Sequence, residues 1–137
     1  MYSMRAPLAQ TPRLRDLMRT DLVVATPTTP VGEAYRLLAQ TGVRYLPVME
    51  GGRYQGMVGE RSLRPLLAPW ARVSWEAPLG RFLQAFPEAH PEEGLEEAAF
   101  LLETAWVGAL PVVEEGALVG LVTAYDLLKG LLDRLRP

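Results

Sequence analysis

The sequence predicts an α/β chain of two tandem β-α-β-β-α repeats packed with pseudo-twofold symmetry, and three observations predict it. The first is repetition at a spacing of 64 positions. Val43-Arg44-Tyr45-Leu46-Pro47-Val48, followed by Gly56-Met57-Val58, returns as Val107-Gly108-Ala109-Leu110-Pro111-Val112, followed by Gly120-Leu121-Val122. Reading Pro27 against Pro91 without a gap also matches Glu33/Glu97, Ala34/Ala98, Leu37/Leu101, Leu38/Leu102, Glu50/Glu114, Gly52/Gly116 and Leu63/Leu127. The second is an apolar helical period at the same place in each copy. The third is a pair of short strands around a glycine-containing turn, again in each copy. A duplicated unit of this size means two similar half-domains meeting face to face, and such an interface forms clefts where a small molecule can sit.

Taken in order, Leu22-Val23-Val24-Ala25 is a short apolar run that reads as the first strand. Thr29 is placed to cap the next helix, with Pro30 at its first position, where a missing N–H costs little. Val31, Ala34, Tyr35 and Leu38 then recur at i, i+3, i+4 and i+7, and Leu95, Ala98, Ala99 and Leu102 repeat that face. Glu92 and Glu93 are expected in the first turn of the second helix, where the dipole favours acids. Residues 45–49 and 54–58 read as strands turning at Glu50-Gly51-Gly52-Arg53; residues 109–113 and 117–122 turn at Glu114-Glu115-Gly116. Closing helices are expected over residues 60–67 and 124–135. Residues 68–78, with Pro69, Trp70, Trp75 and Pro78, read as a semi-rigid connector whose tryptophans are packed. The expected division is an N-terminal extension (1–13), a first repeat (14–67), a linker (68–77) and a second repeat (78–137).

Composition narrows the function. A chain of 137 residues with 49% hydrophobic content can bury roughly two-thirds of its unfolded surface, enough for its own core. A net charge of −2 with no basic run argues against a nucleic-acid partner. No stretch approaches the roughly 18 apolar residues of a membrane span, and residues 1–12 carry no apolar block of a signal peptide. With no cysteine, disulfides are absent and the cytoplasm is the expected compartment.

The order Leu14-Arg15-Asp16-Leu17-Met18, Thr26-Pro27, amphipathic helix, Leu-Pro-Val, turn, Gly-x-Val and final helix resembles the CBS domain, here as a tandem pair or Bateman module. Leu79-Gly80-Arg81-Phe82-Leu83 is a degraded second copy of the entry helix, shifted by one residue. The resemblance implies a regulatory module that binds an adenosine-containing ligand, AMP, ADP, ATP or S-adenosylmethionine, in the cleft between repeats. The family's motif Gly-h-x-Ser/Thr-x-x-Asp is matched in full by Gly120-Leu121-Val122-Thr123-Ala124-Tyr125-Asp126. By that resemblance Asp126 accepts from the two ribose hydroxyls and Thr123 contacts a phosphate at a helix N-terminus. A carboxylate offers two acceptors to a vicinal diol, and a helix start favours an anion. Thr-x-x-Asp is equally a capping box, in which the two side chains satisfy backbone donors. Both readings stand at this point.

The resemblance further implies that the base is held by the other repeat, at Asp21, Leu22 and Val23 with Val43, Arg44, Tyr45 and Pro47. In the first repeat the motif degenerates to Gly56-Met57-Val58-Gly59-Glu60-Arg61-Ser62, so the Thr becomes Gly59 and the Asp becomes Ser62. A second, weaker cleft would use Arg61 and Ser62 with residues 86–89, among them Ala89, then His90, Val107, Gly108, Ala109 and Pro111. Positions that often carry phosphate-binding His or Arg in the family are the neutral Gly108 and Ala109 beside the intact motif, whereas Arg44, Tyr45 and Arg61 lie with the degenerate one. The intact site is therefore expected to prefer few phosphates, or a neutral or cationic adenosyl group.

Other chemistry is thin. His90 is the single histidine and reads as structural or exposed. No spacing suggests a metal site, no Ser or Cys has a positioned base, and phosphate loops are absent. Glu92-Glu93 and Glu96-Glu97 read as a solvated helix face, and Trp106, aligned with Gly42, as core or interface. The expectation is a sensor and not an enzyme, with no catalytic cofactor. Homodimerisation would bury Leu127, Leu128, Leu131 and Leu132, and output would pass in trans to a regulated partner. A ligand-free structural dimerisation module is the alternative.

Overall fold

The computed structural model describes residues 12–135; most of the expected extension 1–13, with the signal-peptide reading of its residues, lies outside them. Its helices are α1 (Leu14–Leu17), α2 (Val31–Thr41), α3 (Glu60–Leu63), α4 (Leu95–Ala105) and α5 (Ala124–Leu135). Its strands are β1 (Tyr45–Glu50), β2 (Arg53–Gly59), β3 (Ala109–Glu114) and β4 (Ala117–Thr123). Short 3-10 turns cover Arg64–Leu67, Pro69–Ala71 and Leu79–Phe82. β1 pairs antiparallel with β2 from Tyr45↔Gly59 to Glu50↔Arg53, with an irregularity after Val48. β3 and β4 form the second two-stranded sheet. Each two-residue turn puts both residues at positive φ: Gly51 at 58° and Gly52 at 81°, Glu115 at 53° and Gly116 at 80°. That is the pattern of a type I′ hairpin.

Four expected features differ, each for a local reason. The apolar runs before the helices are not strands: they reduce to single parallel bridges, Ala25↔Val48 and Ala89↔Val112. Ala25 N–H donates to the Pro47 carbonyl (2.9 Å) and its own carbonyl accepts from Met49 (2.8 Å); Ala89 does the same with Pro111 and Val113. The next rung needs an N–H from Pro27 or Pro91, which neither has. α2 begins at Val31 with Pro30 as its cap residue, and the Thr29 hydroxyl instead accepts from Thr26 N–H (3.0 Å). α4 begins at Leu95, so Glu92 and Glu93 precede it; Gly94 is its cap residue, its N–H bonded to Glu97 Oε1 (3.0 Å). The first closing helix stops at Leu63 and tightens to 3-10 because Pro65 cannot donate to the Arg61 carbonyl.

The tryptophans are not packed as expected. Trp70 is 82% exposed and Trp75 54%, the latter lying partly over Gly32. Trp106, read as core or interface, is 93% exposed and so does not belong to the core. It ends α4 in the left-handed region at φ 56°, the conformation Gly42 adopts at φ 75° to end α2. The cap is required by the helix end, and the indole is carried out to water with it.

Packing divides the chain into two compact units that do not follow sequence order. Among the described residues, one comprises Asp21–Phe86 with Glu115–Leu118; the other comprises 12–20, Pro87–Glu114 and 119–135. Their cores are built from equivalent residues: Ala25, Ala34, Leu46, Val48, Val58 and Leu63 in the first, Ala89, Ala98, Leu110, Val112, Val122 and Leu127 in the second. Leu79 joins the first core and Leu14 the second, both fully buried. Each unit thus takes its entry segment from the part of the chain that carries the other repeat's remaining elements. Leu127, expected on an exposed pairing face, is buried in its own core, while Tyr125, Leu128, Leu131, Leu132 and Leu135 stay exposed along α5. Among the described residues, no helix is long and apolar enough to cross a membrane.

Candidate functional site

β4 delivers Thr123 to the start of α5, where its side chain and that of Asp126 close on each other. Thr123 N–H and Oγ1–H both donate to Asp126 Oδ2 (2.9 Å each), and Asp126 N–H donates back to Thr123 Oγ1 (3.1 Å). This is a complete capping box. The Ala124 N–H is also occupied, donating to the Gly108 carbonyl (3.0 Å). Three of the first N–H groups around this helix start are therefore committed to protein acceptors.

The other face of Asp126 is held by Arg19, a residue for which the sequence carried no local motif. Arg19 follows the entry helix and is fixed by reciprocal backbone bonds to Leu121 in β4 (2.8 and 3.0 Å). Its Nε donates to both carboxylate oxygens (3.2 and 3.3 Å) and its Nη2 to Oδ1 (3.1 Å). The Asp126 side chain is 11% exposed and that of Arg19 57%. The hydrogen bond to Asp126, reinforced by its charge, raises the Arg19 pKa further above its already high ordinary value. The guanidinium is permanently charged.

The degenerate motif repeats this arrangement with neutral groups. Gln84 bridges Met57 of β2 as Arg19 bridges Leu121. Ser62 Oγ, with one hydrogen, has two acceptors within reach, the Gly59 carbonyl (2.9 Å) and Gln84 Oε1 (3.1 Å), and accepts from Gly59 N–H (3.3 Å). Glu60 N–H donates to the Arg44 carbonyl (2.9 Å), the counterpart of Ala124 on Gly108. The pair Asp126–Arg19 in one unit thus stands where Ser62–Gln84 stands in the other.

The remaining expected residues divide between the units. Val107, Gly108, Ala109, Pro111, Ala89 and His90 belong with Thr123 and Asp126; Asp21, Leu22, Val23, Val43, Arg44, Tyr45, Pro47, Arg61 and Ser62 belong to the other unit. Arg44 and Arg61 are exposed, Val43 and Val23 pack on the first core, and Tyr45 meets Phe86 edge-on with ring centroids 5.9 Å apart. His90 is held in place: Nδ1 accepts from Glu92 N–H (3.2 Å) and Nε2 lies 3.7 Å from Glu114. Arg15 bonds Glu92 (2.7 Å) beside it. Among the described residues, no group of His, Cys, Asp and Glu converges as a metal site would require.

The CBS domain family model matches residues 14–68 and again 85–133. The chain belongs to the CBS domain family. As a CBS pair it is 28% identical over 115 residues to the CBS domain-containing protein YhcV of Bacillus subtilis, covering 83% of this chain and 81% of that protein. Its fold is similar to that of CBSX2, solved in complex with AMP: TM-score 0.80, 28% identity, 91% of this chain and 99% of that one. The CBS domain pair of MJ0100, solved with 5-methylthioadenosine and S-adenosyl-L-methionine, shares the fold at TM-score 0.79 and 18% identity, over 90% of this chain and 98% of that one.

Proposed function

We propose that this CBS pair is a ligand-sensing regulatory module that takes an adenosine-containing ligand with its ribose on Asp126. The carrying observation is the intact Gly120-to-Asp126 motif, with its carboxylate held at a helix start and still 11% exposed. A carboxylate positioned by four neighbouring donors is pre-oriented, so a vicinal diol meets two acceptors without a further ordering cost. The similarity to CBSX2, which was solved with AMP, supports the same ligand class. Binding would shift the balance of conformations of the pair and be read by a regulated partner. The role is regulatory, with no catalytic step. Thermal melts with AMP, ADP, ATP and S-adenosylmethionine test it, because a ligand that binds only the folded state raises its stability by mass action. A rise with at least one compound that Asp126→Ala abolishes is expected; no shift with any at millimolar concentration would remove the reading.

A specific observation favours a second reading, a structural dimerisation module that takes no ligand. Asp126 is satisfied by protein donors alone, and α5 exposes Leu128, Leu131, Leu132 and Leu135 at i, i+3, i+4 and i+7, the spacing of a pairing face. Light scattering on the wild-type chain, with and without AMP, separates the two.

A further inference from the structure

The intact site was expected to lack positive charge, yet its carboxylate is gripped by a guanidinium. Arg19 spends its Nε hydrogen and one Nη2 hydrogen on Asp126, which leaves three of its five N–H donors on a side chain 57% exposed. Three backbone donors at this helix start are in use: Thr123 N–H on Asp126, Asp126 N–H on Thr123 and Ala124 N–H on Gly108. The Thr123 hydroxyl both donates and accepts within the capping box. An anion arriving beside a ribose on Asp126 therefore finds in Arg19 a charged donor with hydrogens to spare. The other unit supports the coupling. Where the carboxylate is replaced by Ser62, the bridge position carries the uncharged Gln84, so charge has been kept or dropped at both members of the pair together.

We infer that Arg19 sets the specificity of this site, selecting an adenosine ligand with a phosphate beside its ribose over the uncharged nucleoside. The inference rests on the ribose reading of Asp126. In the free protein Arg19 neutralises the carboxylate; when the diol takes Asp126, the guanidinium turns its donors to the phosphate. An uncharged nucleoside must compete with Arg19 for the same oxygens and receives nothing in return. A phosphate-bearing one exchanges a half-exposed ion pair for another charge-assisted contact.

Calorimetric titration of the full chain with adenosine and with AMP tests this in wild type, Arg19→Gln and Arg19→Lys. Gln is the residue the other unit carries at the matching place, and Lys retains charge without the planar fork. Wild type is expected to prefer AMP by about tenfold or more, the scale of one charge-assisted hydrogen bond. Arg19→Gln is expected to reduce that preference to about twofold or less with adenosine binding unchanged or tighter, and Arg19→Lys to keep part of it. An AMP preference that survives in Arg19→Gln overturns the inference. So does equal weakening of both probes, which would make Arg19 only a structural tie to Asp126. If adenosine and AMP both fail to bind wild type, this inference falls; if ADP, ATP and S-adenosylmethionine fail as well, the ribose reading falls with it.

Discussion

Replacing Asp126 separates what the carboxylate does for the fold from what it does for a ligand. Asp126→Ala removes the acceptor of Thr123 N–H and Oγ1–H (2.9 Å each). Losing a capping partner costs about 1 kcal/mol. The part-buried Thr123 N–H left without an acceptor adds up to about 1 kcal/mol. The Arg19 ion pair is discounted because Arg19 is 57% exposed, and contributes about 0.5 kcal/mol. The expected loss is about 2 kcal/mol, or roughly 7 °C in Tm for a chain of this length. Asp126→Asn keeps an amide oxygen for Thr123 but loses the charge and the second acceptor oxygen that faces Arg19, so its expected loss is about 0.5–1 kcal/mol. Urea denaturation of both variants without ligand, followed by melts with AMP, reads the two contributions. The reasoning is refuted if Asn costs as much as Ala, which would place the energy in the ion pair. It is equally refuted if Ala costs less than about 0.5 kcal/mol, below any working cap.

Three further outcomes follow from the same geometry. Trp106→Gly should leave stability unchanged or raise it by about 0.5–1 kcal/mol by relieving a left-handed non-glycine residue; Gly42→Ala should lose about 1 kcal/mol at the equivalent cap, both read by urea denaturation. Leu46→Ala and Leu110→Ala empty the same position of the two cores, each fully buried, and each should cost about 2–5 kcal/mol in calorimetry. Leu128→Glu with Leu132→Glu should convert any dimer to monomer in light scattering without lowering Tm by more than a few degrees, since both side chains are exposed.

Most of the fold was readable because repetition doubles every local signal. The turn glycines, the Leu-Pro-Val strands and the helical faces each had a second instance to check against, and the hairpins and α5 fall where they were expected. What could not be read depended on partners distant in the chain. The first strands shrink to single bridges because Pro27 and Pro91 deny the next rung, an effect visible only once Val48 and Val112 are seen alongside. Trp70, Trp75 and Trp106 were assigned by residue type, and type does not say which side of a cap or turn faces water. At the site, Thr123 and Asp126 declared themselves through spacing. Arg19 did not, because its relation to Asp126 spans 107 positions and rests on a backbone bridge to Leu121. The register shift between the two entry segments hid the one available clue, the correspondence of Arg19 with Gln84.

The seating of Leu14 in a core otherwise made from much later residues has a consequence for how the polypeptide matures. As it leaves the ribosome, α1 has no home until β3, β4 and α5 have been synthesised, some hundred residues on. α5 lies close on it: a methyl group added at Gly130 would come within 2.9 Å of Leu17. Closing so long a loop is entropically slow but only modestly costly at equilibrium. Severing the gene at the repeat boundary would strand that helix on the wrong fragment and leave its socket open to a neighbour's, an invitation to strand exchange between chains.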